Sequence, residues 1–143
     1  MDAAGLVAKR GYTNIVVFRD GLPAWIKAGY PVNSPKPLKR CSVPTIEPGQ
    51  LNKSFDDYLV VDIRPRSAYK NGYLPESRAM PLAYLSKLST ELPKDGKLVV
   101  VDHKGKQCKT AAQWLKTNGF NDVCWLKGGL TGYEKAGYDL ETY

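Results

Sequence analysis

KLVVVDHKGKQCKTAA, residues 97–112, changes character twice within sixteen positions. Its first five residues are a short apolar run rich in β-branched side chains, the composition of a strand buried on both faces. From Ala111 to Leu115 a helical pattern begins. Between them, His103 to Gln107 hold one glycine and two lysines. A buried strand feeding a tight loop and then a helix gathers unpaired backbone N–H groups and the positive end of the helix dipole at one point, which suits an anion. In an open α/β sheet, ligands bind in the crevice at the carboxyl ends of the strands.

The same alternation continues on either side. Residues 58–63 (YLVVDI) read as a buried strand, 123–126 as a last strand, 43–46 as a first edge strand and 78–80 as another short one. Helices are expected at 65–70, opened by Pro65 and ended by Gly72, and at 82–88. Others are expected at 109–118, closed by Gly119, and at 130–136, with a weak helical turn at 47–51 opened by Pro48. Strands alternating with helices over about 100 residues imply a parallel sheet covered on both faces.

The chain also repeats itself. Residues 11–32 align without gaps on 119–140 at a constant offset of 108, with seven of the 22 positions identical: Gly11, Gly21, Leu22, Lys27, Ala28, Gly29 and Tyr30. Chance would supply about one. The match runs back to Ala3-Ala4 against Ala111-Ala112. Residues 1–32 therefore read as the C-terminal remnant of a first repeat, beginning just after its loop. Residues 33–40 (NSPKPLKR) read as a linker extended by prolines, and 41–143 as a complete domain. The remnant is expected to supply a helix, a strand and a helix that dock on the second domain or on another copy through residues 15–18 and Trp25.

Composition narrows the function classes. Hydrophobic residues make up 43% and charged residues 24% of 143, as in globular chains. The net charge of +7 favours anionic ligands or partners, although a basic surface has the same effect on the total. No apolar run is long enough to span a membrane, and residues 1–10 lack the apolar core of a signal peptide. One histidine and the scattered Cys41, Cys108 and Cys124 are poor material for a metal site, and no cofactor motif is present. Trp25 and Tyr133 match each other as packing positions of the repeat, so nucleic-acid stacking is not inferred.

Three segments, in order, resemble the rhodanese homology family, whose members are sulfurtransferases that carry a cysteine persulfide in the loop. Residues 60–77 (VVDIRPRSAYKNGYLPES) are similar to its first signature, with Asp62, Arg64, Tyr69, Gly72 and Pro75 matching. Tyr73 stands where the family has histidine, and Glu76-Ser77 where it has Gly-Ala. Residues 127–140 (KGGLTGYEKAGYDL) resemble the closing signature. Residues 99–112 resemble the active-site segment, Cys-x-x-Gly-x-Arg-Ser, in which a strand runs into the loop. The resemblance implies a rhodanese-like α/β fold of about five parallel strands with helices on both faces. The loop departs from the pattern. Asp102 stands at the nucleophile, Gly105 keeps the glycine, Lys106 and Gln107 surround the arginine position, and Cys108 falls on the following Ser/Thr. The six positions 102–107 match the loop length of the sulfurtransferases.

A carboxylate cannot carry sulfane sulfur as a thiolate does. At a helix N-terminus it accepts N–H bonds and is favoured by the dipole, so Asp102 reads as a stabiliser of the loop. Residues 102–108 (Asp102, His103, Lys104, Gly105, Lys106, Gln107 and Cys108) form the candidate anion-binding loop, with Asp62 and Arg64 as its support. The expectation is a non-catalytic module of a tandem protein that binds a small anion, thiosulfate-like or sulfate, or else a protein partner or second copy. Cys108 reads first as a small residue replacing Ser at the first helical turn, beginning the helix rather than facing the loop centre. The alternative is an active sulfurtransferase using Cys108 or another thiol, in which Lys106, Lys109 and the helix N-terminus would lower the pKa of Cys108. Cys124 reads as core, and no compartment is assigned.

Overall fold

The computed structural model describes residues 3–18, 20–31 and 41–142, and the chain divides into two units, residues 1–37 and 38–143. The expected linker at 33–40 lies outside the described residues.

In the larger unit, β1 (Thr45–Ile46), β2 (Leu59–Asp62), β3 (Arg78–Ala79), β4 (Lys97–Val101) and β5 (Asp122–Leu126) form one sheet in the order β1-β5-β4-β2-β3, every pair parallel. β4 is central because it is the most uniformly apolar strand. Residues 98–101 are fully buried, Val99 lying in register with Val60 on one side and Cys124 on the other. Alternation along the strand divides them between two cores. Leu98 and Val100 pack with Leu85 of α4 (Leu85–Leu88) and with Ala111, Ala112 and Leu115 of α5 (Cys108–Thr117). Val99 and Val101 pack with Leu51 of α3 (Pro48–Lys53) and with Leu130 and Tyr133 of α6 (Gly129–Lys135). This is the five-stranded, doubly covered parallel sheet that the alternation implies. The two edge strands are only two residues long, which limits pairing with other chains.

Local detail departs from expectation in three places. The helix expected at 65–70 is a 3-10 segment, Arg66–Asn71, whose end is tied back when the Arg64 guanidinium donates to the Gly72 carbonyl at 2.9 Å. Six residues so constrained at both ends take the tighter helix. The helix expected at 82–88 is split: Tyr84, at φ −117° and ψ 4°, leaves helical geometry, so a 3-10 turn at Leu82–Tyr84 precedes α4. The first edge strand starts at Thr45 rather than at 43.

The smaller unit holds α1 (Ala3–Lys9) and α2 (Gly21–Lys27). Shifted by 108, the bounds of α2 are those of α6. The backbone follows: φ is 90° at Gly11 and 88° at Gly119, 66° at Gly21 and 60° at Gly129, and 80° at Gly29 and 88° at Gly137. The rings of Trp25 and Tyr30 form a tilted pair with centroids 4.8 Å apart and planes at 42°, as Tyr133 and Tyr138 do at 5.0 Å and 40°. Residues 14–18, the counterpart of β5 and expected as a strand, belong to no sheet. β5 is bonded on both edges, whereas a lone extended segment has no ladder to join. A polypeptide of residues 1–40 alone is therefore expected to melt without a cooperative transition by circular dichroism. A sigmoidal, reversible melt would show that it closes a core of its own.

Candidate functional site

β4 ends at Val101 and α5 begins at Cys108, so residues 102–107 must turn the chain between a buried strand and a helix N-terminus. Such a turn exposes backbone donors that need acceptors. Asp102, only 4% exposed, supplies them. Its Oδ1 accepts the N–H of Gly105, and its Oδ2 accepts those of Gln107 at 2.7 Å and Cys108 at 3.2 Å. One carboxylate thus fills the centre of the loop, and its charge sits at the positive end of α5.

The outer side of the loop is clamped by α6. Leu130 N donates to the Asp102 carbonyl at 2.9 Å and Thr131 N to that of His103 at 3.0 Å, so the first turn of one helix is satisfied by the loop that starts another. The approach leaves no room for side chains. A Cβ on Gly129 would stand 2.6 Å from the Asp102 oxygen and the Gly105 nitrogen, and Gly129 also has φ 60°. A Cβ on Gly105 would stand 2.9 Å from Gly128 N. Gly128 and Gly129 are thus site residues that the sequence analysis did not name as such. Their signal was the Gly-Gly pair that opens the closing signature.

The remaining candidates fall in three places. His103, Lys104, Lys106 and Gln107 are exposed around a concavity of about 500 Å³, whose other wall is Arg64, Pro65, Ala68 and Asn71. Asp62 and Arg64 form a buried pair at the end of β2: Arg64 Nη2 lies 2.7 Å from Asp62 Oδ2, Nε lies 3.0 Å from Oδ1, and the Arg64 backbone N–H donates to the same carboxylate. Arg64 spends its fork on Asp62 and Gly72, so it braces the wall it lines. Cys108 is fully buried at the start of α5, with Sγ 3.8 Å from the Leu126 carbonyl. Burial, reinforced by the Asp102 carboxylate, pushes its pKa up to about 12. This is opposite to the lowering that the alternative reading of Cys108 needs, because both lysine side chains are in solvent while the carboxylate is adjacent. Cys124 is likewise pushed up to about 12, by burial and then by Asp122. Among the described residues no group of three or more His, Cys, Asp or Glu could hold a metal ion, and no helix is long and apolar enough to cross a membrane.

The model of the rhodanese-like domain matches residues 47–136, more than half of the chain. The chain is similar to a thiosulfate sulfurtransferase, GlpE, of Pseudoalteromonas translucida, 32% identical over 81 residues that span 57% of this chain and 77% of that one. It is also similar to a sulfurtransferase of Allochromatium vinosum, 28% identical over 85 residues that span 59% and 79%. Among solved structures, a rhodanese-related protein from Thermoplasma volcanium superposes with a TM-score of 0.67 at 23% identity, over 70% of this chain and 99% of that one.

Three outcomes follow from the geometry. Gly129→Ala should lose about 2–4 kcal/mol of stability, from the left-handed backbone and from overpacking against the loop. An unchanged urea midpoint would show that loop and helix tolerate separation. Of the three free thiols, only half-buried Cys41 should react with Ellman's reagent in the native protein, the other two reacting after unfolding. Because the folded thiols hold their protons to a higher pH than unfolded ones, stability is fully present below about pH 9 and falls as pH rises from there towards 12. The fall in urea midpoint between about pH 8 and about pH 10.5 should be smaller in Cys108→Ala.

Proposed function

The chain belongs to the rhodanese-like family, homologous to sulfurtransferases, and we propose that its larger unit is a non-catalytic member that recognises an anionic group rather than transferring sulfur. The observation that carries this is the Asp102 carboxylate accepting from Gly105, Gln107 and Cys108. In a family whose loop holds a negatively charged persulfide, the donors that would hold it are here occupied by the protein's own anion. Asp102 offers no thiolate, and burial with a raised pKa weighs against Cys108 as a substitute. What the loop still presents outward around the concavity is His103 with Lys104 and Lys106, the two lysines giving a cationic rim for a small oxyanion or an acidic group of a protein partner. On the same reading, residues 1–32 are the closing part of a first rhodanese-like repeat, 33–40 a linker and 41–143 the second repeat. The shared helix bounds, glycine dihedrals and ring pairs at the offset of 108 support it.

The test is calorimetric titration of thiosulfate and sulfate. Asp102→Asn removes the competing charge and should tighten binding by about tenfold, roughly one freed charge-assisted hydrogen bond. Equal or tighter binding by the wild type would overturn the internal-ligand reading. Wild type treated with thiosulfate should show no persulfide by mass spectrometry. Asp102→Cys should acquire one, its thiolate attacking the outer sulfur and releasing sulfite.

A further inference from the structure

The two copies of the repeated segment differ most in what covers them. Val16 is 93% exposed and its counterpart Cys124 6%; Phe18 54% and Leu126 0%; Leu22 59% and Leu130 1%; Trp25 38% and Tyr133 4%. In the larger unit the cover is known residue by residue. β4 pairs along one edge of β5, Leu98 opposite Val123 and Val99 opposite Cys124, and β1 pairs along the other, Thr45 opposite Trp125 and Ile46 opposite Leu126. Leu51 of α3 packs with Leu130 and Tyr133, and the Tyr133 hydroxyl donates to Asn52 Oδ1 at 2.8 Å. In the smaller unit the Trp25 indole donates instead to its own Pro31 carbonyl at 3.1 Å. The local backbone of the repeat is thus built, while the apolar face that it exists to bury stands open.

We infer that residues 14–18, Leu22 and Trp25 form a docking face for one occupant, an upstream polypeptide segment with the chemistry of residues 41–107. That segment inserts one parallel β-branched strand opposite Ile15 and Val16, a second short strand opposite Val17 and Phe18, and an apolar helix over Leu22 and Trp25, completing a first rhodanese-like domain by strand addition. The inference rests on the reading of residues 1–32 as the closing part of a first repeat, and is independent of the anion reading of the loop.

The larger unit supplies the probe. Residues 41–108 are placed directly ahead of Met1, so that Cys108 of the added copy precedes Met1 as it precedes Lys109 in the existing one. Amide exchange of the peptide spanning residues 14–18 is followed by mass spectrometry in the unextended chain, in the fusion, and in the fusion carrying Val99→Asp in the added copy only. The expected result is exchange at least about a hundredfold slower in the fusion, returning to the unextended rate with the aspartate. Equal exchange in the fusion and the unextended chain overturns the docking inference, while the repeat geometry, and with it the first-repeat reading, still stands. Slow exchange already present in the unextended chain, with a dimer by sedimentation, assigns the face to a second copy and also overturns it. Slowing that survives Val99→Asp means cover by a route other than the pairing the repeat defines, and overturns the first-repeat reading as well.

Discussion

The carboxylate of Asp102 sits where three needs meet. The loop after β4 must turn within six residues, α5 must find acceptors for its first N–H groups, and the side chain that supplies them must itself be buried. A buried donor left unpaired costs about 1–3 kcal/mol, and three donors converge here, that of Cys108 buried and those of Gly105 and Gln107 part-buried. A side chain with two charged oxygens, rooted at the first loop position, reaches all of them. A thiolate or persulfide at the same position would offer one charged sulfur in place of two oxygens, and the persulfide forms only by reaction with a sulfur donor. On the proposed non-catalytic reading, the aspartate gives in exchange a loop that is satisfied when empty.

That satisfaction propagates. Because the carboxylate draws Gly105, Gln107 and Cys108 inward, the carbonyls of Asp102 and His103 face outward, where α6 begins and donates from Leu130 and Thr131. The helix can approach that closely only because Gly129 carries no side chain. Leu130 and Tyr133 are thereby seated over Val99 and Val101, so the geometry of the loop and the packing of one face of the sheet are the same constraint seen from two sides. The Asp62–Arg64 pair plays the matching part at the neighbouring strand end, with Arg64 joining β2 to the Gly72 turn.

Most of the larger fold was legible in the chain itself, because strand composition and glycine punctuation act locally: 97–101 needs no partner to be recognised as a buried strand, and its observed bounds are the expected ones. Less legible were features set by distant contacts. The 3-10 geometry of Arg66–Asn71 goes with Arg64 reaching Gly72, and the break at Tyr84 falls in a segment held from outside itself, where Leu82 N donates to the Ile63 carbonyl at 3.0 Å. In the site, the loop residues were visible as a motif, and Cys108 opens α5 as a small buried residue, but the pull of Asp102 on its thiol has no signal in the sequence. Proximity in sequence to Lys106 and Lys109 argued for a lowered pKa, whereas burial and the buried carboxylate set the direction. Exposed lysines are screened by water; a carboxylate enclosed with the thiol is not.

The repeat separates local from non-local determinants within a single chain. Residues 21–30 and 129–138 share a helix of the same length, the same positive dihedrals at both glycines, the same closing ring pair and the same backbone bond, Tyr30 N to Trp25 O and Tyr138 N to Tyr133 O, each at 3.3 Å. Those features arise wherever Gly-Leu and Lys-Ala-Gly-Tyr occur at this spacing, because capping and tight turns are decided within a few residues. Residues 14–18 and 122–126 are equally alike in pattern, yet only the second pair along their edges and form a strand. A strand's hydrogen bonds lie outside its own segment, so an apolar β-type run determines what it needs and not whether it is satisfied. Helices and turns of this fold are therefore properties of the segment, whereas sheet membership, and the burial that goes with it, is a property of the company the segment keeps.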